Sequence, residues 1–320
     1  MNILIIGGSN FIGWRLVELL GQTNHTVTVV NRGNHPRHYP DNATNIVCDR
    51  HDSANFSTVI KSAKFDVVYD MCAFVGDDVQ TTINLFSAQP GKYIFISTAA
   101  TYLETQELPI TENHAQGIHG IWGKYGGGKL DCERVLLSAY ANTGFPAVVV
   151  RPSYVYGVGN TLDRETFLFD RISKGRKILV PEGGEAVIQL GEVSDLCRAL
   201  LVLGERAGSV GSCYNISGNE LITLMGLVSL VADIMGKSYQ TVSVNPKKYG
   251  MSDRDVFPFD NSPYYTSCEK FSAEFQWIPQ VNLRQGLTQA YENWLSSSNR
   301  IPTKYEKEDS VLADSERRNL

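Results

Sequence analysis

The chain has 320 residues, 42 % of them hydrophobic and 20 % charged, with a formal net charge of −5. That length exceeds one small core and suits two fused ones, and the balance excludes wholesale disorder. An acidic chain has no general electrostatic pull on nucleic acid or anionic lipid, so an anionic ligand has to be held by local groups. Cys48, Cys72, Cys132, Cys197, Cys213 and Cys268 stand singly, with no C-x-x-C pair or Cys/His cluster at metal spacing. They read as buried, reduced thiols, and no metal site is expected. The start MNILIIGGSNFIG runs straight into a strand and lacks the features of a signal peptide. No apolar run approaches the roughly 18 residues of a membrane span. The cytoplasm is the expected location.

In chain order, short apolar runs at 3–6, 27–30, 46–48, 67–69, 93–96 and 147–150 are bounded by Gly, Asp or Asn. Such runs suit strands buried on both faces of a parallel sheet. Amphipathic helix patterns fall between them at 12–20, 56–63, 79–86 and 125–140. This alternation predicts a doubly wound α/β sheet with right-handed crossovers. Beyond Arg151 the rhythm changes: residues 157–184 are rich in Gly and charge, with a short strand at 178–180. Helices are expected over 193–203, 221–235 and 284–294, and strands near 213–216 and 241–244. The stretch from Ser296 is polar and is expected to fray. The expected organisation is a dinucleotide-binding domain at 1–157, a smaller α/β substrate-binding portion at 158–294 with some elements returning to the first sheet, and a polar tail at 295–320.

The first strand enters Gly7-Gly8-Ser9-Asn10-Phe11-Ile12-Gly13, and a helix pattern follows at once. A glycine turn there lets backbone close on a pyrophosphate at a helix N-terminus, the Rossmann arrangement. Gly7 supplies the tight turn and Gly13 the close helix–sheet approach. Asn10 stands where a middle glycine is usual, and asparagine tolerates left-handed backbone. The second strand ends Asn31-Arg32-Gly33. An acid here would bind the ribose hydroxyls of NAD, whereas an arginine pairs with the 2′-phosphate of NADP, so Arg32 tilts the expectation to NADP with NAD second. Asp49 and Arg50 follow the third strand and are expected to meet the adenine. Ala73 follows the fourth and is expected to let the cofactor pass.

Tyr125-Gly126-Gly127-Gly128-Lys129 is a Y-x-x-x-K pattern opening a helix, and residues four apart share a helix face. A free phenol titrates near about 10; a neighbouring ammonium favours the phenolate and brings it toward useful range. Three consecutive glycines cost a helix on the order of 1 kcal/mol each, and close approach of cofactor or substrate is one reason to keep them. Strand five ends Ile96-Ser97-Thr98, at the edge where doubly wound sheets bind ligands. Thr98 is the candidate to polarise a substrate carbonyl, and Ser97 competes with it.

Together these residues resemble the short-chain dehydrogenase/reductase superfamily in its extended, epimerase/dehydratase-like branch. GGSNFIG resembles that branch's glycine turn, ISTAATY its active-site strand, YGGGK its catalytic pair and RPSYVYG the stretch after strand six. The resemblance implies Thr98, Tyr125 and Lys129 as catalytic triad. It also implies a nicotinamide lined by Pro152, Ser153 and Val155, with Ser9, Asn10, Phe11, Ile12 and Asn31 completing the cofactor contacts. VVNRG, IQLGEVSDL and FPFDNSPYYTSCEKFSAEFQWIPQVNLRQGL resemble the atypical group that includes chloroplast stem-loop-binding proteins. Members of that group are tied to RNA binding and cleavage, and many lack the Tyr–Lys pair that this chain keeps.

Ala99-Ala100 stand where dehydratases of the branch have Asp-Glu, which argues against elimination of water. The arginine that many nucleotide-sugar epimerases carry before the segment Ile188–Gly191 is absent. Arg164, Arg171, Arg176 and Lys177 either hold a phosphate or form a solvated basic loop. The expected activity is NAD(P)-dependent hydride transfer on a small polar, sugar-like substrate with Tyr125 as proton relay. A nucleotide-sugar epimerase and an RNA-binding protein on the same scaffold are the alternatives. The acidic balance and the lack of a basic, aromatic stripe argue against nucleic acid. No membrane contact is expected, and a homodimer is left open.

Overall fold

The computed structural model describes residues 1–61, 63–86, 90–118, 120–297 and 305–318. Its contacts divide the chain into two compact units. The first comprises Met1–Val155, Val193–Ser217 and Thr266–Gln280; the second comprises Tyr156–Glu192, Gly218–Tyr265 and Val281–Leu320.

The early elements are β1 (Asn2–Ile6), α1 (Phe11–Leu20), β2 (Thr26–Asn31), β3 (Ala43–Val47), α2 (Ser53–Lys61), β4 (Val67–Asp70), α3 (Gly76–Leu85), β5 (Lys92–Ile96), α4 (Gly123–Thr143), β6 (Ala147–Pro152) and β7 (Tyr154–Tyr156). There follow α5 (Glu165–Ser173), β8 (Lys177–Pro181), β9 (Val187–Glu192), α6 (Val193–Glu205), β10 (Cys213–Ile216), β11 (Leu221–Thr223), α7 (Leu224–Met235), β12 (Gln240–Val244), α8 (Glu269–Phe275), α9 (Leu283–Ser296) and α10 (Glu306–Arg318).

In the first unit seven strands form one sheet in the order β10-β6-β5-β4-β1-β2-β3, every neighbour parallel. Alternate side chains point to opposite faces, and on the inner strands both sets are largely apolar, whereas the edge strand β3 leaves Thr44, Asn45 and Val47 exposed. Ile3 and Ile5, with Val27, Val29, Ile94 and Val148, pack with Leu16 and Val17 of α1 and Leu196 and Leu200 of α6. Leu4 and Ile6, with Val30, Val68, Phe95 and Val149, pack with Phe56 of α2, Val79 of α3 and Leu136 of α4. Two apolar faces demand helices on both sides, and the Rossmann α/β fold satisfies them. The strand order reverses between β1 and β4, where such sheets open a ligand crevice at their carboxyl ends.

In the second unit β8 and β12 pair in parallel and β9 and β11 pair antiparallel. Helix α5 lies where the sequence reads as glycine-rich, charged chain. Phe167, Leu168, Phe169 and Ile172 are buried, but so are Glu165, Asp170 and Arg171, which hides the helical period. The helix expected over 221–235 begins as strand β11 and turns helical only at Leu224, where Thr223 caps the new helix by accepting from Gly226 N–H.

The expectation of a fraying tail is corrected over 305–314. Val311 is fully buried, and Glu308 and Asp309 pair with Arg171 and Arg176 of the same unit. Lys174 donates to the Tyr305 hydroxyl at 2.6 Å. Ion pairs rather than an apolar stripe hold the start of α10, so its composition reads as disordered. Residues 298–304 and 319–320 of that tail lie outside the described residues.

Candidate active site

The turn after β1 is built for close backbone packing. Gly7 has φ +97°, and its N–H donates to Val30 C=O at 2.8 Å. A Cβ on Gly13 would stand 2.2 Å from the Gly7 carbonyl oxygen, so the helix can begin here only without a side chain. The positive φ expected of Asn10 falls instead on Phe11 at +35°; Asn10 is extended and stands at the N-cap of α1, its side chain making no capping bond to the helix. The first turn of α1 carries no acidic residue. Its N–H groups have no intrahelical partners, which suits a pyrophosphate.

Around that turn the expected contacts separate. Ser9, Phe11 and Ile12 lie in the turn itself. Asn31 is buried; its carbonyl oxygen accepts from Gly33 N–H at 2.8 Å and its amide donates to Tyr39 at 3.0 Å, so it shapes the loop carrying exposed Arg32. Asp49 accepts from the His51 backbone and ring, which hold its carboxyl below the usual range.

Arg50 does not reach toward an adenine. Its guanidinium is buried and donates to both Asp70 oxygens at 3.0 and 3.1 Å, to the Asp78 carbonyl and to Thr82. Burial alone would raise the Asp70 carboxyl; the Arg50 charge and its hydrogen bonds prevail and hold it low. Asp70 also accepts the N–H groups of Cys72 and Ala73, which draws that loop inward. Ala73 is left with no exposed surface, which speaks against the expected contact with a cofactor.

The expected catalytic pair, Tyr125 and Lys129, sits at the start of α4. Tyr125 is half exposed, its ring 6.4 Å from that of Phe74. Lys129 is buried; its ammonium donates to the Ile96 carbonyl at 2.7 Å and lies between the rings of Phe74 and Phe95, at 4.6 and 4.8 Å. Burial pulls the Lys129 ammonium down to about 8. The glycines between the pair answer to the protein's own backbone. A Cβ on Gly126 would lie 2.5 Å from the Ala100 carbonyl oxygen and one on Gly128 2.2 Å from that of Phe74, whereas Gly127 has 3.5 Å to Ile118. Two of the three let α4 settle onto the loops that follow β4 and β5, which corrects the expectation of a ligand at the glycines.

Thr98 caps the short 3-10 helix Ala99–Thr101, its hydroxyl oxygen accepting from Ala100 N–H at 3.2 Å. That bond uses an acceptor site and leaves the hydroxyl proton to donate outward. Ser97 no longer competes, since its hydroxyl is buried and donates to Glu133. Ser153 Oγ is buried at the end of β6 without a hydrogen-bond partner among the described residues, which suits a polar group on a bound ligand. Pro152 is buried beside it, and Val155 packs into the apolar cluster of α1 and α6.

Glu133 escaped the sequence reading. It lies one turn beyond Lys129 on the same face of α4, fully buried, and accepts from Ser97, Gln116 and Arg151. Arg151 reaches on to Tyr102 at 2.9 Å. Lys129 and Glu133 thus stitch α4 to consecutive residues, Ile96 and Ser97, of the strand that presents Thr98. The signal in the sequence was a glutamate four residues past the lysine, on the helix face that also carries Leu130, Cys132 and Leu136.

A model of the family described as NAD dependent epimerase/dehydratase matches residues 3–217. The chain belongs to that family. It is therefore an enzyme of an NAD-dependent class. It is 32 % identical over 307 residues, 90 % of this chain and 78 % of the other, to the chloroplast stem-loop binding protein of 41 kDa b from Arabidopsis thaliana. Two solved structures share the fold at low identity. UDP-glucuronic acid 4-epimerase from Bacillus cereus, in complex with UDP-glucuronic acid and NAD, has TM-score 0.77 at 20 % identity, covering 92 % of this chain and 98 % of that one. The dTDP-glucose 4,6-dehydratase from Bacillus anthracis, in complex with NAD, has TM-score 0.76 at 22 % identity, covering 93 % and 97 %. Among the described residues no helix is long and apolar enough to cross a membrane, and no cluster of His, Cys, Asp or Glu could hold a metal.

Proposed function

We propose that this family member is an NAD(P)-dependent oxidoreductase. It transfers hydride at a carbonyl or carbinol carbon of a small polar, sugar-like substrate, with Tyr125 as the proton relay. The observation that carries the reading is Lys129, buried and tied to the last carbonyl of β5 on the helix face that begins with Tyr125. Burying an ammonium is costly, and a structural role alone would be met by an apolar residue.

The bound dinucleotide supplies or accepts the hydride. In the reducing direction the Tyr125 hydroxyl gives its proton to the carbonyl oxygen as the carbon takes the hydride, and in oxidation it receives it back. Thr98 donates a hydrogen bond to the same oxygen and stabilises its developing charge. Lys129, cationic at neutral pH with its value near 8, favours the phenolate and holds the nicotinamide ribose. Gly7 through Gly13 hold the pyrophosphate, and Ser153 offers its free hydroxyl to the nicotinamide end. Arg32, exposed at the end of β2 where NAD enzymes place an acid, favours NADP.

The test is turnover of a panel of sugar-derived ketones and alcohols, followed by coenzyme absorbance, in wild type and Tyr125→Phe. The variant is expected to keep coenzyme binding and lose turnover at least about 100-fold; full turnover in the variant would overturn the reading. Coenzyme released after each cycle marks a reductase, and coenzyme retained marks an epimerase, which runs the same transfer out and back. RNA binding is a second reading, favoured by the name of the 32 % identical relative and opposed by the net charge of −5. A cytoplasmic location and a homodimeric assembly belong to the same proposal.

A further inference from the structure

Lys129 is covered in the free chain. Its side chain is only 3 % exposed. Of its three ammonium protons one goes to the Ile96 carbonyl, and the ammonium makes no other hydrogen bond among the described residues. Two aromatic rings lie against the charge instead, Phe74 at 4.6 Å and Phe95 at 4.8 Å. A ring face attracts a cation, but it takes no proton as an oxygen does. A buried ammonium with donors to spare is suited to an acceptor that arrives from outside.

The two rings are held differently. Phe95 belongs to β5 and is fully buried among Tyr93, Leu136 and Val149. Phe74 is 51 % exposed. Its main chain is nonetheless fixed. The N–H donates to Asp78 at 2.7 Å, and the carbonyl oxygen would lie 2.2 Å from a Cβ on Gly128. With the backbone held on both sides and the ring half in solvent, movement is confined to rotation of the side chain. Exposed side chains change rotamer in picoseconds to nanoseconds. The same ring lies 6.4 Å from that of Tyr125, so Phe74 meets both members of the pair.

We propose that Phe74 is a gate: its ring closes over Lys129 in the free chain and swings aside to admit the nicotinamide ribose to the ammonium. The inference rests on the coenzyme reading above, in which Lys129 holds that ribose. A ribose hydroxyl is the acceptor that the spare N–H protons lack. Pyrophosphate binding at Gly7 through Gly13 does not require the ring to move, so the nicotinamide half of the coenzyme alone senses the gate. Apparent affinity is then the open-state affinity scaled by the open fraction. A ring held shut by a cation leaves an open fraction on the order of 10 % or less. A fixed Phe74 that walls the occupied site is the competing account.

The probes are NADPH and ADP, which share the adenosine and pyrophosphate and differ in the nicotinamide half. Affinity and association rate are measured for wild type, Phe74→Ala and Phe74→Leu, with thermal melts to confirm folding. Leucine keeps apolar bulk without a ring, so it carries the test if alanine does not fold. Phe74→Ala is expected to bind NADPH on the order of 10-fold tighter and faster, with Phe74→Leu between it and wild type and ADP changed by less than about twofold. In the free proteins, trinitrobenzenesulfonate followed by peptide mass spectrometry is expected to label Lys129 in Phe74→Ala and not in wild type, and NADPH is expected to protect it. Weaker NADPH binding in the variants would make the ring a wall of the filled site and overturn the gate. Unchanged NADPH binding, an equal gain for ADP, or equal labelling of Lys129 in wild type would overturn it too. If wild type and variants bind neither probe, the coenzyme reading fails and the gate with it. If wild type binds both and the variants bind NADPH no faster, the gate alone fails.

Discussion

Adjacent glycines in one helix turn give a matched experiment. Gly127→Ala and Gly128→Ala make the same chemical change at the start of α4, and each gains up to about 1 kcal/mol of helix propensity. At Gly127 the new methyl has ordinary contact with Ile118 at 3.5 Å, so the gain stands. At Gly128 it would lie 2.2 Å from the Phe74 carbonyl oxygen, which is backbone and cannot swing aside. Restoring normal contact requires a shift of roughly 1 Å, and overpacking of that kind costs about 1–3 kcal/mol. The net expectation is stabilisation near 0.5–1 kcal/mol for Gly127→Ala and destabilisation near 1–2 kcal/mol for Gly128→Ala. In thermal melts that is a rise of about 2 °C against a fall of several degrees. The displaced turn carries Tyr125, and a misplacement of that size lowers turnover by on the order of 100-fold, while Gly127→Ala keeps it. Equal melting points for the two variants would refute the claim that these glycines serve helix docking.

Three further outcomes follow from the buried charges. Lys129 drops from its ordinary 10.5 to about 8, so between those pH values the unfolded chain binds a proton there that the folded chain has released. The penalty is complete below pH 8 and fades as pH rises to about 10.5. Wild-type stability, measured against Lys129→Met in urea, should therefore gain up to about 3 kcal/mol across that window, and a flat difference would contradict it. Arg50→Met strands the buried Asp70 carboxylate and should cost about 3–5 kcal/mol in denaturant melts, with the NADPH-to-NADH affinity ratio unchanged. A changed ratio would return Arg50 to the cofactor. Ser97→Ala removes one bond from Glu133 and should cost about 1.5–3 kcal/mol while lowering turnover through α4; unaltered turnover would confine the Glu133 network to stability.

Features carried by local spacing were legible in the sequence. The strands of the sheet showed as apolar runs because both faces are covered, and Tyr125 with Lys129 showed because a helix places residues four apart on one face. Gly7 and Gly13 were readable because only glycine fits a left-handed turn and a backbone contact that close. What stayed hidden depended on partners distant in sequence. Arg50 looked like a loop residue facing ligand because Asp70 and Asp78, which bury it, lie 20 and 28 residues on. Helices α5 and α10 bury Arg171 against Glu308, so neither shows an apolar stripe. Arg171 and Arg176 are accordingly spent within the second unit, and the solvated basic loop is corrected.

The most direct measurement is fluorescence titration of the wild-type chain with NADPH and NADH, alongside a structured RNA at rising salt. The account predicts saturable binding of one dinucleotide per chain, tighter for NADPH, and no RNA affinity at physiological salt. Failure of both dinucleotides to bind, with RNA bound steeply against salt, would contradict it.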